Sequence, residues 1–165
     1  MIINYKEIAI TIAIVDFVLY VAYIWGRYGI QKSISISFYE LPEHERDLFR
    51  VFILVLALAV IISGIGFDNI AFYISGGLLS LVGIFSRIQN KKKFIIHLTG
   101  AIGGIISCNI ALMLEDFKMG LYSTTIVLVG IILVLLFGNR KHLIWNIEII
   151  CFSVLIIALR IIIEF

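Results

Sequence analysis

Six stretches of about 20 mainly apolar residues follow one another along this chain, separated by short polar turns, and each is long enough to cross the hydrocarbon core of a bilayer. They cover approximately residues 7–26, 47–66, 69–87, 94–114, 121–137 and 143–163. In hydrocarbon a backbone amide has no water to bond, so it must be paired within its own helix or within a closed barrel. The stretches are about twice the length of a barrel strand and show no polar/apolar alternation. Helices follow, and the expected fold is an all-α, polytopic transmembrane helix bundle of about six spans. With 62% hydrophobic and only 15% charged residues in 165, nearly every residue is needed for spans and turns. One integral membrane domain, 1–165, is therefore expected, without a soluble domain. The first apolar run contains Asp16 and lacks a small-x-small cleavage site, which reads as a retained span rather than a removed leader.

Charge sets the expected orientation. Arg27, Lys32, Arg46, Arg50, Arg87, Lys91, Lys92, Lys93, Arg140 and Lys141 fall in or beside the odd-numbered loops, and only Lys6, Lys118 and Arg160 fall on the other side. Short loops rich in Lys and Arg stay in the cytoplasm. The expectation is a cell-membrane protein with both termini outside and loops 27–46, 88–93 and 138–142 cytoplasmic. A net charge of +2 spread over short loops gives nucleic acid nothing to bind. The bilayer is the expected partner. A small-molecule or lipid ligand is compatible with the polar residues described below, and no cofactor is implied.

Small residues mark where helices can approach, because lipid tails remove the hydrophobic drive between them. Gly100-Ala101-Ile102-Gly103-Gly104 contains a G-x-x-x-G; Gly76, Ser80 and Gly83 share one face; Ala9 and Ala13, and Ala59 and Ser63, are spaced alike. Such faces suit packing within the bundle and would also suit a homo-oligomer.

Ionisable groups within a span are expensive and normally face the bundle or a cavity. Asp16 is central in the first span, on a stripe with Ala9, Ala13, Tyr20 and Tyr23, whose hydroxyls are within helical reach of the carboxyl. His97 opens the fourth span on the face of Ala101, Gly104, Cys108 and Ala111, and Glu148 lies between one and two turns into the sixth. The orientation puts His97 and Glu148 at the same mouth, near Arg87 and Arg50, where a Glu–His pair is geometrically allowed. Each also has a structural role open to it: a neutral carboxyl fixing register for Asp16, an interfacial position for the other two.

Loop one is the most distinctive connection. Ser33, Ser35 and Ser37 alternate with isoleucine, and Tyr39 precedes Pro42. The alternation predicts an extended, half-buried segment against the bundle mouth, and Pro42 with Glu43, Glu45 and Asp47 predicts the first turn of the next helix. Ser33, Ser35, Ser37, Tyr39 and Arg87 are thus candidates for a polar entrance. With three histidines and no H-x-x-x-H, H-E-x-x-H or G-x-S-x-G, no metal ligand and no catalytic residue is assigned. Cys108 and Cys151 lie in apolar runs without metal or redox spacing.

Ser33-Ile34-Ser35 with Ser37-Phe38-Tyr39, then His97-Leu98-Thr99-Gly100-Ala101, then Trp145-Asn146-Ile147-Glu148 together resemble a group of small, uncharacterised multi-span bacterial and phage membrane proteins. In that group a Ser-Ile-Ser loop follows the first span and a histidine opens a later one as H-x-x-G/A. The layout is distantly similar also to ceramidase-type membrane hydrolases, which have seven spans and a histidine-ligated metal. This chain lacks their paired histidines and one span, so the resemblance implies an architecture and no activity. Three functions remain open on the residues alone. The first is binding or transport of a small molecule, lipid or ion through an intramembrane polar pocket at Asp16, His97 and Glu148. The second is a membrane-embedded lipid hydrolase or transferase using His97 and Glu148 as acid and base. The third is a non-enzymatic scaffold or interaction protein.

Overall fold

A computed structural model of the chain describes residues 4–87 and 90–164; Ile88 and Gln89, in the expected loop 88–93, lie outside the described residues. The described chain is all helical: α1 (Tyr5–Tyr28), α2 (Ile34–Glu40), α3 (Arg46–Phe67), α4 (Ile70–Ile84), α5 (Lys91–Glu115), α6 (Phe117–Phe137) and α7 (Leu143–Glu164), with 3-10 turns at Glu43–Glu45 and Arg140–His142. α1, α5, α6 and α7, and α3 taken with the 3-10 turn before it, are long and apolar enough to cross a membrane. α4 is apolar but has only 15 residues, a length of about 22 Å. The chain is a multi-span membrane protein.

The helix ends follow from local chemistry. Asn4, Ser33, Asn69, Asn90 and Asp116 each accept a backbone N–H of the helix they open. α1 stops at Gly29, whose φ of 74° is strained for any residue with a Cβ. Asp68 takes the left-handed conformation after α3 and turns the chain at once into α4, which makes a tight helical hairpin.

α3 lies between α1 and α4, α4 packs on α5, and α7 closes the bundle against both α1 and α5. α6 leans on α5 and α7 from outside. Apolar side chains such as Leu19, Leu58, Ile132, Leu136 and Phe137 are left exposed on the outer faces, as a lipid solvent requires. The interior divides along its length. Phe17, Tyr20, Phe38, Phe49, Phe52 and Trp145 form an aromatic core at the end carrying α2, where Tyr20 and Phe52 stack at 4.2 Å. Ala57, Ala71, Phe72, Cys108, Ala111 and Leu159 belong to the core of the other half.

The small residues are used within the chain. A Cβ on Gly76 would come within 2.7 Å of the Ala57 carbonyl oxygen, one on Gly100 within 2.6 Å of the Leu78 carbonyl oxygen, and one on Gly104 within 2.8 Å of Leu79. Ser75 adds a hydrogen bond to the Gly104 carbonyl at 2.7 Å. With α4 clamped between α3 and α5, these faces are occupied, and a homo-oligomer would have to use others.

Loop one corrects an expectation. It is not extended: Ile34–Glu40 is a helix lying across the end of the bundle against α3 and α7. Ser33 caps it by accepting the Ile36 N–H at 2.8 Å, and Ile34, Ser37, Phe38 and Leu41 are buried at helical spacing. Seven residues fit either period, and the cap together with the buried i, i+3, i+4 face decides for helix.

Candidate functional site

The polar residues at the α2 end fall into four neighbouring groups. The first is built on α7. Glu148 accepts the Ile34 N–H and, at 3.3 Å, the Ser35 hydroxyl, so the carboxyl fixes the start of α2 to α7. Beside it the Trp145 backbone N–H donates to the Lys32 carbonyl at 3.1 Å, and His142 Nδ1 lies 3.1 Å from the Gln31 carbonyl. Tyr20 and Ser37 form a buried hydroxyl pair at 2.6 Å. Ser37 gives its proton to the Ile34 carbonyl, which makes Tyr20 the donor of the pair.

The second group is a carboxylate hub that sequence reasoning passed over. Glu45 accepts Tyr23 Oη–H at 2.5 Å and Tyr28 Oη–H at 2.6 Å. It is paired with Arg27 at 3.1 Å, and His44 Nε2 lies 3.4 Å away. The last turns of α1 are thereby tied to the start of α3. Tyr23 and Arg27 are one turn apart on α1, with Tyr28 next to Arg27, and could have suggested an anion; which of the loop's acids would return to meet them was not legible.

The third group is a groove of about 290 Å³ between α1 and α3, lined by Asp16, Leu19, Tyr20, Tyr23, Leu48, Val51 and Phe52. Both tyrosine hydroxyls are turned away from Asp16, towards Ser37 and Glu45, so the expected Asp16–tyrosine bond is not made. Asp16 Oδ2 is buried and has no hydrogen-bond partner among the described residues. An acceptor left this way in an apolar setting is costly unless something occupies it.

The fourth group is a polar rim pocket of about 180 Å³ bounded by Phe38, Glu43, Arg46, Asp47, Arg50 and Arg87. It brings together the end of α2, the start of α3 and the residue just beyond Ser86. Tyr39 reaches the same corner and donates to the Ser86 carbonyl at 3.2 Å.

His97 and Glu148 do not form the pair that topology allows. No hydrogen bond joins them among the described residues; Glu148 is engaged with α2, and His97 packs against the backbone of Val82 and Phe85 at the end of α4. Its Nδ1 is buried without a partner. Val82 and Ala101 help enclose a small apolar cavity of about 30 Å³ beside Glu148, and His97 is not part of its wall. Arg87 is exposed at the rim pocket. Among the described residues no three His, Cys, Asp or Glu side chains converge as metal ligands, and Cys108 and Cys151 are free, buried thiols. Farther along the bundle Asn69 donates to Glu115 at 2.6 Å and to the Ala111 carbonyl at 3.2 Å, which locks the α3–α4 turn to α5. No known protein family, curated protein or solved structure matches the chain.

Proposed function

We propose that this membrane protein is a non-enzymatic binder of a small amphiphile carrying one hydrogen-bond donor, an alcohol or amine, with Asp16 as the acceptor. The observation that carries this reading is the buried, unpartnered Asp16 oxygen on a groove whose other polar groups are already committed. One acceptor amid leucine, valine and aromatic walls suits a ligand with one donor and an otherwise apolar body. The volume is at the small end of ligand pockets. Binding is favoured over conduction because the stacked rings of Tyr20 and Phe52 line the groove and no chain of polar groups continues from Asp16 among the described residues. In this reading Glu148, Ser33, Ser35 and Ser37 hold α2 in place over the bundle end, and His97 supports the end of α4. The ten-to-three bias of basic residues supports both termini outside and loops 27–46, 88–93 and 138–142 in the cytoplasm.

The test is native mass spectrometry of the protein released from nanodiscs, with n-decylamine, 1-decanol and decyltrimethylammonium as probes. Decylamine and decanol carry a donor and are retained; decyltrimethylammonium has the charge and the chain but no donor and is not. Asp16→Ala abolishes the distinction while His97→Ala preserves it. Equal retention of all three probes by the wild type, or retention unchanged in Asp16→Ala, sinks the reading.

A further inference from the structure

Independently of the Asp16 groove, we infer that the rim pocket formed by Arg46, Arg50 and Arg87 is a binding site for a phosphoryl anion. Arg46 and Arg50 are one turn apart on α3, and Arg87 is brought to them from beyond the end of α4. Two of the guanidinium groups are held in place by the fold. Arg50 donates through Nε to the buried Ser86 hydroxyl at 3.0 Å, is paired with Asp47 at 2.9 Å, and lies over the Phe38 ring at 5.4 Å from its centroid. Arg46 Nε donates to the Leu41 carbonyl at 3.3 Å. Both bonds consume the Nε edge and leave terminal N–H groups for the pocket. No ion pair neutralises Arg46 or Arg87 among the described residues.

The charge of the pocket points to the same ligand class. Three guanidinium groups face two carboxylates, Glu43 and Asp47, and Asp47 is already paired with Arg50. One positive charge is left over, which a singly charged phosphodiester or phosphate monoester monoanion balances. Planar guanidinium forks suit tetrahedral phosphoryl oxygens. A space of about 180 Å³ admits a head group of that size and not a peptide segment. The pocket adjoins the ends of two helices that enter the membrane, and phospholipid head groups are the most concentrated phosphoryl anions at that depth. The same chemistry would accept a soluble phosphate from the aqueous side.

The experiment separates the two sources. Full-length protein in nanodiscs containing equal phosphatidylglycerol and phosphatidylcholine is analysed by native mass spectrometry for retained lipid, with and without inorganic phosphate. Wild type retains phosphatidylglycerol over phosphatidylcholine. Arg87→Gln, an exposed position that leaves the fold intact, reduces that retention about tenfold, and Arg46→Gln does the same. Arg140→Gln, in loop five, leaves it unchanged. If inorganic phosphate displaces the lipid, or binds in its place with a tenfold loss in Arg87→Gln, the site takes a free phosphoryl group; if retention resists phosphate, the lipid head group is the ligand. Absence of any lipid preference together with no phosphate binding overturns the proposal. So does a loss in Arg140→Gln equal to that in Arg87→Gln, because the attraction would then be diffuse.

Discussion

Replacing Gly100 by alanine tests the packing on which the whole bundle depends. The added Cβ would meet the Leu78 carbonyl oxygen at 2.6 Å, Leu81 Cβ at 3.2 Å and Val82 Cγ2 at 3.2 Å. Two of these atoms belong to backbone or Cβ and cannot rotate away. Restoring ordinary contact requires α5 to withdraw from α4 by about 0.8 Å, and a gap of that size forfeits a quarter to a half of the dispersion well for each atom pair across the interface. Overpacking of this kind costs about 1–3 kcal/mol, against which the better helix propensity of alanine returns up to about 1 kcal/mol. The expected result is a net loss of about 1–2 kcal/mol, read as a fall in Tm of about 2–4 °C per kcal/mol by circular dichroism in dodecyl maltoside. Two other glycines serve as internal controls. At Gly103 the nearest atom is Leu78 Cδ1 at 3.1 Å, the far end of a flexible side chain, and at Gly77 nothing lies within 4 Å. Gly103→Ala is therefore close to neutral and Gly77→Ala raises Tm. If all three substitutions move Tm alike, the close approach of α4 and α5 is not what limits stability.

Glu148→Ala removes the acceptor of the Ile34 N–H and the Ser35 hydroxyl and costs about 2–4 kcal/mol, whereas Glu148→Gln keeps one acceptor oxygen and costs about half as much. The loss is local: hydrogen exchange across residues 34–41 speeds up in the alanine variant, and unchanged protection there would refute the role of Glu148 in holding α2. Orientation is checked with single cysteines at Lys118 and Lys92 and a membrane-impermeant maleimide, since Cys108 and Cys151 are buried. Lys118→Cys is labelled in intact cells and Lys92→Cys only after permeabilisation; the opposite pattern reverses the topology.

The spans were legible because each had its own length of apolar sequence, and the helices begin and end within a few residues of the expected limits. The third is the one that stops well short of its expected end. It was expected to run through 87 and its helix ends at Ile84, where Phe85 and Ser86 turn back on the last carbonyls, a local event that apolar composition continues straight through. The small-residue faces were legible as close contacts, although which helix each one met was not. Loop one was misread because serine and isoleucine alternate over a segment short enough to satisfy both a strand and a helix. Spacing could place Asp16 on the stripe of Tyr20 and Tyr23, but the direction of a hydroxyl depends on what lies beyond it. Ser37 and Glu45 arrive from a later turn of the chain and take those protons. His97 and Glu148 share an end of the bundle, as their positions in the sequence require. α2 and the end of α4 give each carboxyl or imidazole a nearer neighbour than the other.

α4 spans about 22 Å where a bilayer's hydrocarbon measures about 30 Å, and tilting would only shorten its reach. The membrane has to bend to the protein on that flank, thinning at a cost of fractions of a kcal/mol per Å. A dimple of this kind draws water and head groups towards Ser86 and Arg87, below the level of the surrounding leaflet. The transmembrane voltage then falls over a shorter distance beside α4 than across bilayer of ordinary thickness, so the local field there is steeper.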